Sequence, residues 1–206
     1  PDGRFRPHEE ATGFAAHGEV NLIGARIGGA LILDRAHLSN PGGDALQATR
    51  LTVEGTMFCR DHFTANGPVW LLGARIGAVL AFTRASLNNP NGEALIASRL
   101  TVGQGMHCRD GFTANGEVNL QNAHIAGVLV FDDARLTNPG GFALQANGVT
   151  VDRGMSCARG FTAHGKVSLV GARITGRLDF RGATLHNRDG LHGRALDLEA
   201  ARTPEL

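Results

Sequence analysis

The sequence predicts an all-β protein, a quadrilateral parallel β-helix of about eight coils, and three observations predict it. The chain repeats itself: Phe14, Phe63, Phe112 and Phe161 open successive copies at a constant interval of 49 residues. Repeats of fixed period belong to architectures in which each unit is buried by its neighbours. Within a copy the apolar residues come as triplets, inward, outward, inward, which is the alternation of very short strands. Triplet centres lie mostly five or six residues apart, so the backbone turns a corner that often, and no window sustains a helical period.

Taken in order, residues 1–13 (PDGRFRPHEEATG) do not match the repeat and read as an N-terminal cap or linker. A single β-helix domain then spans 14–206, in copies 14–62, 63–111, 112–160 and 161–206. In the first copy the triplets are Val20-Asn21-Leu22, Ala25-Arg26-Ile27, Leu31-Ile32-Leu33 and Ala36-His37-Leu38. After a loop come Leu46-Gln47-Ala48, Leu51-Thr52-Val53, Met57-Phe58-Cys59 and Phe63-Thr64-Ala65. Four sides close a square coil, so each copy makes two coils. Stacked at the parallel-strand spacing of about 4.8 Å, a copy rises roughly 10 Å and the rod roughly 40 Å. One coil cannot offset a backbone-ordering cost of ~1–2 kcal/mol per residue, so burial shared between coils is required.

The loop that interrupts alternate coils reads Asn40-Pro41-Gly42-Gly43, Asn89-Pro90-Asn91-Gly92 and Asn138-Pro139-Gly140-Gly141. Proline fixes φ and glycine allows positive φ, which suits a tight turn. The fourth copy departs to Asn187-Arg188-Asp189-Gly190-Leu191-His192-Gly193-Arg194, three residues longer. Asn40, Asn89 and Asn138 should therefore mark a row of loops along one edge.

A length of 206 residues with 42% hydrophobic content suffices for a sizeable core. Net charge is +1, with Lys166 the only lysine among 20 basic residues, so there is no global field for nucleic acid. No stretch approaches 18 apolar residues and no signal-like segment opens the chain, which points to a cytoplasmic protein without a transmembrane segment. The start at Pro1 and the end inside a copy read as a piece of a longer protein.

Segments such as Val20-Asn21-Leu22-Ile23-Gly24-Ala25-Arg26-Ile27-Gly28-Gly29 resemble pentapeptide repeats, in which a small residue, any residue, Leu or Phe, and two more recur. The resemblance covers residues 14–198 and implies a right-handed square β-helix. The longer unit GARIGG…NPGG…FTANGEV is similar to actinobacterial repeat proteins that carry an oxidoreductase label. Six-residue steps, large residues at the small position and the inserted loop depart from the family pattern.

Candidate chemistry is sparse. Cys59, Cys108 and Cys157 share one inward repeat position, two coils and roughly 10 Å apart, too far for a disulfide. They read as free packed thiols, and no C-x-x-C pattern suggests zinc. The nine histidines show no helical metal-ligand spacing; His17 and His164 read as polar corner residues. Glycine runs such as Gly24 to Gly29 lack the following helix of a nucleotide fingerprint. Asp132 and Asp133 should face different directions, unlike a glycosidase pair. No cofactor, metal or catalytic residue is expected.

Outward ladders are the better candidates. Arg26, Thr52, Arg75, Thr101, His124, Thr150 and Arg173 should share one side, with Arg26, Arg75, His124 and Arg173 as a comb for phosphates or carboxylates. A solvated face, whose threonines suit strands, is the plainer reading. Ile32, Phe58, Ala81, His107 and Val130 should line a second side, and Trp70 beside Ile96 a third, as a contact surface for a protein partner or a second copy. The resulting expectation is a non-enzymatic interaction scaffold. The alternatives are a topoisomerase-interacting protein acting by DNA mimicry, which needs an acidic surface this chain lacks, and the oxidoreductase of the borrowed label, which no motif supports.

Overall fold

The computed structural model describes residues 13–187 and 193–204. It is all-β, a parallel β-solenoid of seven four-sided turns with three sides of an eighth. The cap expected at 1–13, apart from Gly13, and residues 188–192 of the fourth loop lie outside the described residues.

Backbone pairing separates into four ladders, every one of them parallel. The first face runs from Ala15–His17 through His37–Ser39 and Thr64–Asn66 to Thr184–His186. The second runs from Val20–Asn21 through Leu46–Gln47 and Val69–Trp70 to Leu196–Asp197. The third stacks Arg26–Ile27, Thr52–Val53, Arg75–Ile76, Thr101–Val102, His124–Ile125, Thr150–Val151 and Arg173–Ile174. The fourth stacks Leu31–Ile32, Met57–Phe58, Leu80–Ala81, Met106–His107, Val128–Val130, Gly154–Ser156 and Leu178–Asp179.

Not all strands are short. Ser86–Ile96 and Arg135–Gln145 hold 11 residues each, and Thr113–Asn119 and Thr162–Ser168 hold 7. In these turns the pairing continues around the corner between the first and second faces, with register shifts where the inserted loop bulges out. That continuity merges the two faces into one sheet.

The repeat spans two turns because each inner wall alternates two residue types, which differ in size on the first three faces and are Leu and Met, of similar volume, on the fourth. Inward positions read Ala16, Leu38, Ala65, Leu87 on the first face and Ile27, Val53, Ile76, Val102 on the third. At the corner from the fourth face to the next turn, a large and a small residue exchange places: Cys59 then Phe63, Phe82 then Ala85, Cys108 then Phe112, Phe131 then Ala134, Cys157 then Phe161. Each corner thus receives one ring. The rings stack in a zigzag, Phe63 to Phe82 at 6.3 Å, Phe82 to Phe112 at 6.0 Å and Phe131 to Phe161 at 6.2 Å between centroids. All these rings are fully buried, and close-packed interiors reject a change of even a methylene.

Backbone contact between turns sets the glycines. A Cβ on Gly77 would stand 2.1 Å from the carbonyl oxygen of Glu54 in the turn beneath. Gly116, at φ 119°, lies under the second inserted loop, and a Cβ there would stand 2.4 Å from the Asn89 carbonyl oxygen. Gly24, Gly28 and Gly29 are corner residues on either side of the Arg26–Ile27 strand rather than a phosphate cradle.

Candidate functional site

The third face carries the expected ladder in the expected register: Arg26 pairs with Thr52, Thr52 with Arg75, Arg75 with Thr101, Thr101 with His124, His124 with Thr150, and Thr150 with Arg173. An isolated bridge adds Arg202 beyond Arg173. The inward neighbours Ile76, Val102, Ile125 and Val151 are buried and hold each strand flat, so the outward residues project into solvent.

Two arginines the repeat pattern did not single out extend this surface. Arg50 and Arg99 sit at the corner between the second and third faces in turns two and four, exposed, with φ of 57° each. Glycine serves the same left-handed corner at Gly24, Gly73, Gly148 and Gly171, so the backbone does not demand arginine there. Arg26, Arg50, Arg75 and Arg99 therefore form a zigzag with one cation per turn over four turns.

None of these four has an ion-pair partner among the described residues. The opposite edge behaves differently. Between the fourth and first faces, Arg60 forks onto Asp34 at 2.7 Å, Arg84 pairs with Asp61, Arg109 meets Asp110 at 3.5 Å, Arg159 meets Asp132 at 3.7 Å and Arg181 meets Asp179 at 2.7 Å. The Arg181 guanidinium holds the Asp179 carboxyl down to about 2. That edge is internally neutral, whereas the stripe on the third face is not. On the third face, His124 shares a 2.8 Å hydrogen bond through Nε2 with Asp152, so this rung alone is already engaged. Next to Arg173 and Arg202, an open hollow of about 620 Å³ is lined also by Ile174, Thr175, Thr203 and Pro204.

The apolar candidates are less available than their outward positions implied. Ile96 is a correction: it is only 5% exposed, because Trp70 stands beside it in register and Asn119 follows on its other side. Trp70 is half-buried and donates its indole N–H to Asp44 Oδ1 at 2.7 Å. Phe58 carries the Arg60 guanidinium 3.9 Å above its ring. Ala81 is buried between Phe58 and His107, and Val130 is half-buried. Ile32 is 65% exposed; with Phe14 at 54% and Ile23 it makes the first turn the place where most of the exposed large apolar side chains gather, Val128 on the fourth face being the other among the described residues.

The asparagine row is a set of fasteners. The Asn40, Asn89 and Asn138 amides donate to the carbonyl oxygen four residues on, at 2.9, 2.9 and 2.8 Å, and Asn187 closes its longer loop onto Arg194 at 2.7 Å. The three thiols are free and buried, and burial pushes each well above the range in which a thiolate forms. Asp132 turns to the Ser156 hydroxyl and the Ala158 amide, while Asp133 is exposed. Among the described residues no group of three His, Cys, Asp or Glu side chains could hold a metal, and no helix is long and apolar enough to cross a membrane.

Two further features escaped sequence reasoning. Glu93 and Glu117 are cross-strand neighbours at the loop edge. Glu93 accepts a 2.8 Å hydrogen bond from Asn119, while Glu117 is pushed up to about 7 by burial and then by Glu93. The first face also carries self-bonded polar ladders, with the Thr113 hydroxyl donating to Ser86 at 3.0 Å and the Asn115 amide to Asn88 at 2.9 Å. The 24-residue step from Glu93 to Glu117 was the available signal for the carboxyl pair, hidden by the bulge between them.

No family model, curated protein or solved structure matches the chain.

Proposed function

We propose that this chain is a rigid interaction scaffold, related to pentapeptide-repeat proteins, that binds an anionic protein partner along its third face. The observation that carries the reading is the contrast between the two edges. Arg26, Arg50, Arg75 and Arg99 are exposed and have no ion-pair partner among the described residues, while Arg60, Arg84, Arg109, Arg159 and Arg181 at the opposite corner are each held by a carboxylate. Unpaired guanidiniums are ready to form charge-assisted bonds with carboxylates without first breaking internal pairs. A stiff stack keeps them in place, which spares a partner the entropy of ordering the surface. The exposed cations speak against imitation of duplex DNA, which calls for carboxylates in that role.

The test is binding of an acidic polypeptide, poly-glutamate, to the purified protein at rising salt. Affinity should fall as salt shortens the screening length from about 10 Å at 0.1 M to about 3 Å at 1 M, and Arg75→Glu should weaken it further. An affinity that ignores both salt and Arg75→Glu would remove the reading.

A further inference from the structure

We propose that the partner's acidic segment binds in the polyproline II conformation, with a carboxylate at every third residue; this rests on the reading that the third face receives an anionic protein. The face rungs Arg26, Arg75, His124 and Arg173 recur at every second turn, which at the parallel-strand spacing is about 9.6 Å. A polyproline II chain has three residues per turn and rises ~3.1 Å per residue, so every third side chain returns to one side after ~9.3 Å. Over three intervals the ladder covers about 29 Å and the peptide about 28 Å, a difference that flexible arginine stems absorb. An α-helix brings a side chain back to the same line after seven residues, about 10.5 Å, and runs about 3 Å out of step over the same length. An extended strand sends every third residue to the opposite side.

The local surface suits such a chain. Thr52, Thr101 and Thr150 separate the rungs with small side chains, leaving troughs for the two intervening residues of each triplet. Arg50 and Arg99 flank the line at half-steps. In the first four turns, Glu54 is the one carboxylate on this face or its two corners among the described residues, against four arginines. The His124 rung, engaged by Asp152, contributes least, and Arg173 with Arg202 restores the charge beyond it.

Binding of labelled (Glu-Pro-Pro)4, followed by fluorescence anisotropy at low salt, tests this. The wild-type chain should bind it, Arg26→Ala and Arg173→Ala should each weaken it about fivefold, as for loss of one exposed charge pair, and Arg75→Glu should weaken it more. His124→Arg, which completes the comb, should strengthen binding. Arg109→Ala, on the neutral edge, should leave it unchanged, and circular dichroism confirms that each variant is folded. If flexible (Glu-Gly-Gly)4 binds as tightly, or His124→Arg has no effect, the polyproline II register is wrong while the scaffold reading stands. If neutral (Gln-Pro-Pro)4 binds equally, if heparin binds and neither acidic peptide does, or if nothing binds, both are overturned.

Discussion

The ring of Phe82 lies 6.0 Å from that of Phe112, although the two residues sit on opposite sides of their corners, Phe82 before and Phe112 after. Cys108 is the small companion of Phe112, as Ala85 is of Phe82. This exchange makes the structural unit two turns rather than one.

Phe112→Ala should therefore destabilise the chain by about 3–5 kcal/mol, because the neighbouring rings cannot close the space. Cys108→Ala should cost far less, and Cys108→Phe, which places two rings at one corner, about 1–3 kcal/mol. Urea unfolding of the three variants gives the ranking. Equal costs for Phe112→Ala and Cys108→Ala would refute the alternation.

Close approach between turns separates two glycines of the same corner. Gly77→Ala drives a methyl group into the Glu54 carbonyl oxygen, and Gly28→Ala meets nothing within 4 Å. The first should lower stability by roughly 1–3 kcal/mol and the second should stay within about 0.5 kcal/mol of wild type. Thermal melts that shift equally would contradict the stacking geometry.

Loop fastening is local. Asn89→Ala removes the amide that holds the Glu93 carbonyl at 2.9 Å, at a cost of about 1 kcal/mol. The visible effect should be faster proteolytic nicking at Pro90 to Gly92 than in wild type, with binding of acidic peptide unchanged. An altered affinity would show that the loops, not the third face, take part in binding.

The Glu93 and Glu117 pair sets a pH dependence. Burial and Glu93 raise Glu117 from 4.5 to about 7 in the folded state, so the folded chain holds this proton more tightly than the unfolded chain. The resulting stabilisation is full below about 4.5 and is lost as pH rises towards 7. Glu117→Gln should flatten the melting temperature over that window. Parallel curves for the two proteins would show that the carboxyl is not held protonated.

The architecture was legible because very little decides it. A 49-residue period and inward-outward triplets fix which atoms face the core, and so the register from Arg26 to Arg173 followed from counting. Coverage of an outward residue was not legible in the same way. Ile96 points outward by alternation, yet the width of Trp70 in the adjacent turn covers it. The long strands were hidden because the triplets flanking the first corner look separate in sequence while their backbones pair continuously. Arg50 and Arg99 were missed because corner residues belong to no triplet, and their importance rests on lacking ionic partners, which only coordinates reveal.

The alternating widths of the inner walls constrain how such a rod changes length. Removing one turn would set like against like on three walls, for example Ala16 against Ala65 on the first face and Ile27 against Ile76 on the third. Excision of Phe63 to Gly111 would instead reunite layers that already fit, and would carry one arginine of the face and one of its corner away together. Growth and shortening of this molecule by whole pairs of turns thus leave both the seam of the core and the cadence of the charges intact.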